Sequence, residues 1–173
     1  MNDLFPIFIN RLLSHEGGYS DDRRDPGNWT GGKVGAGDLK GTKFGIAANT
    51  YPMLDIRNLT RVQAIAIYQR DFWERAQCNK LPAVVAFQLL DGAVNSGIPQ
   101  ATRWLQRAAG TADDGMIGPV TLKAIRGVDA NDLVYVFNAE RIEYMTRLKN
   151  WPVQGAGWMR RIAQNFRFAS QDN

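Results

Sequence analysis

The chain has 173 residues, 45% of them hydrophobic and 22% charged, with a formal net charge of +4. That length suits one globular domain, or one with a small appended lobe, and supplies enough apolar residues to bury a core. One cysteine excludes an internal disulfide framework, and one histidine leaves too few ligands for a zinc centre, so neither a disulfide scaffold nor a metallohydrolase is expected.

In chain order, Leu4, Phe5, Phe8, Ile9, Leu12 and Leu13 recur on one stripe, so residues 3 to 15 read as an amphipathic helix with Asp3 as its N-cap. The same stretch lacks a basic leader and a small-residue cleavage site, and no run approaches the ~20 apolar residues of a membrane span. Synthesis and folding in the cytoplasm are expected. Residues 17 to 58 hold nine of the 17 glycines and little periodicity. Long irregular segments in compact domains are usually functional, and this one leaves room for a small hairpin near "GTKFGIA". Thr60 and Gln63 form a capping-box pattern ahead of "VQAIAIYQRDFWERA". Pro82 and Pro99 suit the first turns of two more helices, "PAVVAFQLLDGAVNS" and "PQATRWLQRAA", the second closed by Gly110. A short helix follows Pro119 and stops at Gly127, another covers about 131 to 149, and the last about 156 to 168. Alternating strands are missing, so the class is mainly α.

The positive charge is placed unevenly. From Met145 onward five basic residues, Arg147, Lys149, Arg160, Arg161 and Arg167, face one acid, Asp172, and this tail carries the whole net charge. An anionic partner follows. Trp158, Met159, Ile162, Ala163 and Phe166 recur at helical spacing between the arginines, the pattern of a helix that docks its apolar stripe and offers cations to anionic lipid or an outer envelope.

The chemistry concentrates in "SHEGGYSDDRRDPGN", residues 14 to 28. Glu16 closes the first helix, where the negative end of the macrodipole disfavours its carboxylate form. Partial burial by Tyr19 and Phe44 would hold its proton more tightly still, as a general acid near neutral pH requires. Asp25 follows on a turn begun by Pro26. Two carboxylates in different environments are what glycosidic cleavage uses, one to protonate the leaving oxygen and one to handle water or the developing cation. His15 reads as a helix-end side chain that caps carbonyls or orients Glu16, and Cys78 as a small buried residue. "GGKVGAGDLKG" has the glycines of a phosphate loop but neither its spacing nor the Lys-Ser/Thr that must follow.

"HEGGYSDDRRDPGN" followed by "GTKFGIAANTY" resembles the signature of glycoside hydrolase family 108. "DGAVNSGIPQATRWLQRAAG" and "DDGMIGPVTLKAI" are similar to the peptidoglycan-binding region that usually accompanies it, and the matches cover about residues 8 to 127. The resemblance implies a lysozyme-like helical fold, with a catalytic lobe in residues 1–80 and a helical peptidoglycan-binding lobe in 81–173 packed against it. It implies an N-acetylmuramidase of the phage endolysin type that hydrolyses the β-1,4 bond between N-acetylmuramic acid and N-acetylglucosamine without a cofactor or metal. Glu16 would be the general acid, and Asp25 and Thr42 would position water or stabilise the transition state. An insertion, "WTGGKVGAGDLK", separates the Asp-Pro-Gly turn from Thr42 and makes Thr30 a rival for the threonine role. A lytic transglycosylase cutting the same bond, and a non-catalytic wall-binding or secretion-assisting protein, are the alternatives.

In the second half, Asp91, Asn95 and Gly97 at one helix end, near Trp104 and Gln106, predict a saccharide or peptide-stem cleft. Asp113, Asp114 and Gly115 read as a turn that starts the helix after Pro119. The expected partner is peptidoglycan, reached by a monomer that leaves the host cytoplasm through a holin pore and acts on the wall from the periplasm. Nucleic acid is not an expected partner.

Overall fold

The computed structural model describes residues 4–14 and 18–172. The expectations for Asp3, His15 and Glu16 concern positions outside the described residues. Among the described residues the chain forms seven α-helices and one two-stranded antiparallel sheet, divided into two compact units, Met1–Arg70 and Asp71–Asn173. The boundary expected at 80/81 falls within the second unit, where Cys78 and Leu81 are already buried.

In the first unit, α1 (Phe5–Leu13) buries Phe5, Phe8, Ile9 and Leu12, while Leu4 and Leu13 at its ends are only half-buried. Pro6 occupies the first turn, where its missing N–H costs no helical hydrogen bond. The expected hairpin is present as β1 (Thr42–Lys43) and β2 (Ile46–Ala47), with Thr42 opposite Ala47 and Lys43 opposite Ile46. Its two loop residues, Phe44 and Gly45, have φ of 51° and 74°, the pattern of a type I′ turn that matches strand twist. Positive φ is uncommon for a side chain as bulky as phenylalanine. The Tyr68 hydroxyl donates to the Phe44 carbonyl at 2.9 Å and anchors the turn to the following helix.

That helix, α2 (Arg61–Tyr68), opens with the expected capping box: Gln63 N donates to Thr60 Oγ1 at 3.3 Å and Thr60 N to Gln63 Oε1 at 2.8 Å. The apolar run then continues as a π-helical stretch, Gln69–Glu74, so the helix expected through Ala76 changes its winding after Tyr68.

The second unit holds α3 (Ala83–Ser96), α4 (Ile98–Ala108), α5 (Pro119–Arg126), α6 (Ala130–Thr146) and α7 (Trp151–Ala169). Residues 84–93 of α3 are all buried, because this helix packs against α4, α6 and α7. Gly92 permits the approach of α6, since a Cβ there would lie 2.9 Å from Phe137 Cζ. Gly97, at φ 83°, ends α3 and leads into α4, and Gly110, at φ 65°, follows the end of α4. The last helix begins at Trp151, earlier than the expected 156, because Pro152 fits its first turn and the Trp151 ring covers Gly155. Among the described residues no helix is long and apolar enough to cross a membrane.

Candidate active site

The loop after α1 is organised by Asn28, which is fully buried. Asp25 starts a short 3₁₀ turn, Pro26–Asn28, by accepting the Gly27 N–H at 2.8 Å through Oδ1, and its side chain stays exposed. The turn delivers Asn28 inward. There Nδ2 donates to the Asp22 carbonyl at 3.0 Å, while Oδ1 accepts the Thr42 hydroxyl at 2.7 Å. Thr42 is held a second time through its backbone, since Thr42 N donates to Ser20 O at 2.8 Å and Ser20 N to Thr42 O at 2.9 Å. Asp25, Thr42 and the chain four residues past Glu16 are thereby tied to one junction. Sequence reasoning did not single out Asn28; its signal was its place in "DPGN", directly after the turn.

The insertion is a self-contained excursion. Trp29 pairs with Leu39, Thr30 N donates to Asp38 O at 2.9 Å, and Gly31 N donates to Ala36 O at 3.0 Å. Its base is closed where Lys40 N and Gly41 N both donate to Asn28 O at 3.0 Å. Residues 29–40 therefore leave and return at one point, and Asn28 meets Thr42 despite them. The Thr30 hydroxyl is used within the excursion, accepting the Asp38 N–H at 2.8 Å.

The neighbouring acids are committed differently. Asp22 binds both the side chain and the backbone N–H of Arg24, and these hydrogen bonds lower its pKa to about 2. Asp21 pairs with Arg57 at 3.2 Å. Arg57 also lies over the Tyr19 ring, 4.9 Å from its centroid, a cation–π contact. Tyr19 is half-buried and packs so closely on Gly41 that a Cβ there would sit 2.7 Å from the ring and 2.5 Å from Ser20 O. Only glycine fits that position, which has φ 82°. Beside Tyr19 a groove of about 360 Å³ runs along Leu39, Lys40, Met53 and Arg57, a size suited to a small ligand or one sugar of a chain. Phe44 is half-buried at the hairpin turn, with the Lys43 ammonium 5.5 Å from its ring centroid.

The cleft expected in the second unit is corrected for three of its five residues. Trp104 is fully buried and packs edge-on against Phe137 and Tyr144, so it offers no face to a sugar. Gln106, also fully buried, folds the "DDGMIGP" turn: its amide donates to Asp114 Oδ1 at 2.7 Å and Met116 O at 3.0 Å, and accepts the Gly115 N–H at 2.8 Å. Asp91 is 1% exposed and is the hub of a buried network. Its Oδ2 lies 2.7 Å from Arg141 Nη1 and accepts from Asn165 Nδ2 at 2.8 Å, while Oδ1 accepts from Arg161 Nε at 2.7 Å. Burial alone would raise the Asp91 pKa, but the charges of Arg141 and Arg161 outweigh it and hold the carboxyl below its ordinary 3.8. Asn95 and Gly97 remain at the exposed α3–α4 junction, with Asn95 donating back to the Asp91 carbonyl at 2.6 Å.

The same network alters the expectation for the basic tail. Arg161 points inward to Asp91, leaving Arg160 and Arg167 as the exposed arginines of α7. Cys78 is buried, and burial pushes its thiol pKa up, which removes it as a nucleophile.

The sequence matches the family model for Glycosyl hydrolase 108 over residues 9–97 and that for a Predicted Peptidoglycan domain over 100–163. No curated protein matches it. The solved structure of Brucella abortus SagA is similar with a TM-score of 0.83 and 28% identity, covering 96% of this chain and 94% of that one. The two matched regions meet at the α3–α4 junction, and peptidoglycan is the substrate they indicate. The chain belongs to the glycosyl hydrolase 108 family and is a glycoside hydrolase of peptidoglycan.

Proposed function

We propose that the protein hydrolyses the β-1,4 bond between N-acetylmuramic acid and N-acetylglucosamine, with Glu16 as general acid and Asp25 and Thr42 completing the site. The observation that carries this reading is the Asn28 junction, which fixes the Thr42 hydroxyl beside the chain that follows Glu16. In the reaction Glu16 protonates the glycosidic oxygen as the bond to the anomeric carbon breaks. The exposed Asp25 carboxylate faces the positive charge that develops on the sugar or aligns the attacking water, and Thr42 holds that water. Tyr19 and Phe44 supply aromatic surface for the sugar rings.

Thr42→Ala should lower kcat/KM on purified peptidoglycan by about 10²-fold, since it removes a hydroxyl oriented by a buried partner. Thr30→Ala, which loosens only the excursion, should stay within a few-fold of wild type. Loss of activity in Thr30→Ala with retention in Thr42→Ala would reverse the assignment.

Wall degradation by this monomer leads to lysis in the manner of an endolysin, after passage from the cytoplasm through a pore made by another protein such as a holin. Cells expressing the protein alone should keep their optical density and then clear rapidly once the membrane is permeabilised. Clearing without permeabilisation would contradict the pore requirement. Contact with anionic envelope surfaces falls to Arg160 and Arg167, the exposed arginines of α7.

A further inference from the structure

The wall-binding unit needs a surface that can hold a polymer, and three of the five residues first expected to form it are buried. Elsewhere in that unit a groove of about 450 Å³ lies between the start of α6 and the end of α7, lined by Asn131, Val134, Tyr135, Phe166, Ala169 and Ser170. We propose that this groove is a saccharide-binding site that seats the glycan strand of peptidoglycan. The proposal rests on the peptidoglycan reading of this chain, and it adds where the second unit grips the polymer.

Tyr135 carries the argument. It is 61% exposed, although the next residue back, Val134, is buried in the core. Tyr135 therefore stands outside the packed stripe of α6, and with Phe166 it places two aromatic rings on the wall of the groove. Its ring and that of Phe166 stand 6.3 Å apart at 37°, an open V in place of a closed stack. A pyranose has an apolar C–H face and a rim of hydroxyls and amides. The C–H groups carry partial positive charge and settle on the negative face of an aromatic ring. The groove also offers polar partners. The cap at the start of α6 uses the Asn131 backbone N–H, donated to Asp129 at 2.8 Å, and leaves its side-chain amide to the groove. Ser170 Oγ donates to Arg167 O at 2.9 Å and can still accept a hydroxyl proton. Two tilted rings with an amide and a hydroxyl fit an N-acetylated sugar. A lipid surface would instead require a broad apolar patch ringed by cations.

The test measures binding of the full-length protein to purified sacculi and to glycan strands freed of their peptides by an amidase. Tyr135→Ala should weaken binding to both by about tenfold, and Tyr135→Phe, which keeps the ring, should bind like wild type. An unchanged thermal midpoint in both variants would locate the loss in the groove. Wild-type affinity in Tyr135→Ala would overturn the site, and so would wild-type protein that holds sacculi but not peptide-free strands, since the peptide stems would then be the ligand. Hydrolysis of sacculi by wild type, followed alongside, separates these outcomes from a failure of the peptidoglycan reading itself.

Discussion

Asp91→Ala should be one of the most destabilising single changes in the chain, costing about 3–5 kcal/mol. The carboxylate is 1% exposed and balances Arg141, which is 0% exposed, and Arg161, which is 17% exposed. Removing it leaves the Arg141 guanidinium charged and dry, a far larger penalty than the loss of one surface ion pair. It also removes the side-chain hydrogen bonds by which Asn165 and Arg161 of α7 reach α3. The effect has a defined pH dependence. The Asp91 pKa is depressed in the folded state, so its contribution is fully present above the ordinary value of 3.8 and is lost as pH falls through the folded value. Urea midpoints of wild type and Asp91→Asn should therefore differ widely at neutral pH and converge in acid. A constant difference across that range would show that the carboxylate is not charged in the folded protein.

Glu16→Gln should do the reverse, leaving stability intact and removing activity. The buried stripe of α1 ends at Leu12, and an amide matches a carboxyl in shape, so the thermal midpoint should scarcely move. The glutamine amide N–H is too weak an acid to protonate the leaving oxygen. Loss of a general acid typically costs about 10²–10⁴-fold, and turnover on purified peptidoglycan should fall by that amount. Turnover near wild type in a folded Glu16→Gln protein would remove Glu16 from the acid role. Set beside Asp91→Ala, it separates a residue that acts on substrate from one that holds the second unit together.

The helices were legible because their signals are local. The Thr60–Gln63 box, the proline starts and the glycine stops each act within a turn of chain, and the apolar stripe of α1 identified its buried residues. The site was half legible. "EGGY" and "DPGN" could be read as motifs, but the hydrogen bond from Thr42 to Asn28 spans 14 positions and an excursion whose closure depends on backbone pairing. The second unit misled for a related reason. Asp91, Trp104 and Gln106 are residue types that bind sugars, yet they are equally the types that fill a core when their polar atoms find partners. The partners of Asp91 lie 50 and more positions away on α6 and α7, so the sequence around it gave no sign of them. Tyr135 was passed over for the opposite reason: it stands outside the stripe of buried residues on α6, and such a position usually means only solvent exposure.

The central claim is a reaction, and the bond ends left by the enzyme report it directly. Purified peptidoglycan digested by wild type, reduced with borohydride and examined by mass spectrometry should yield fragments ending in reduced N-acetylmuramic acid, absent from the Glu16→Gln digest. Fragments ending in anhydro-muramic acid, or in reduced N-acetylglucosamine, would contradict hydrolysis at the muramic acid bond.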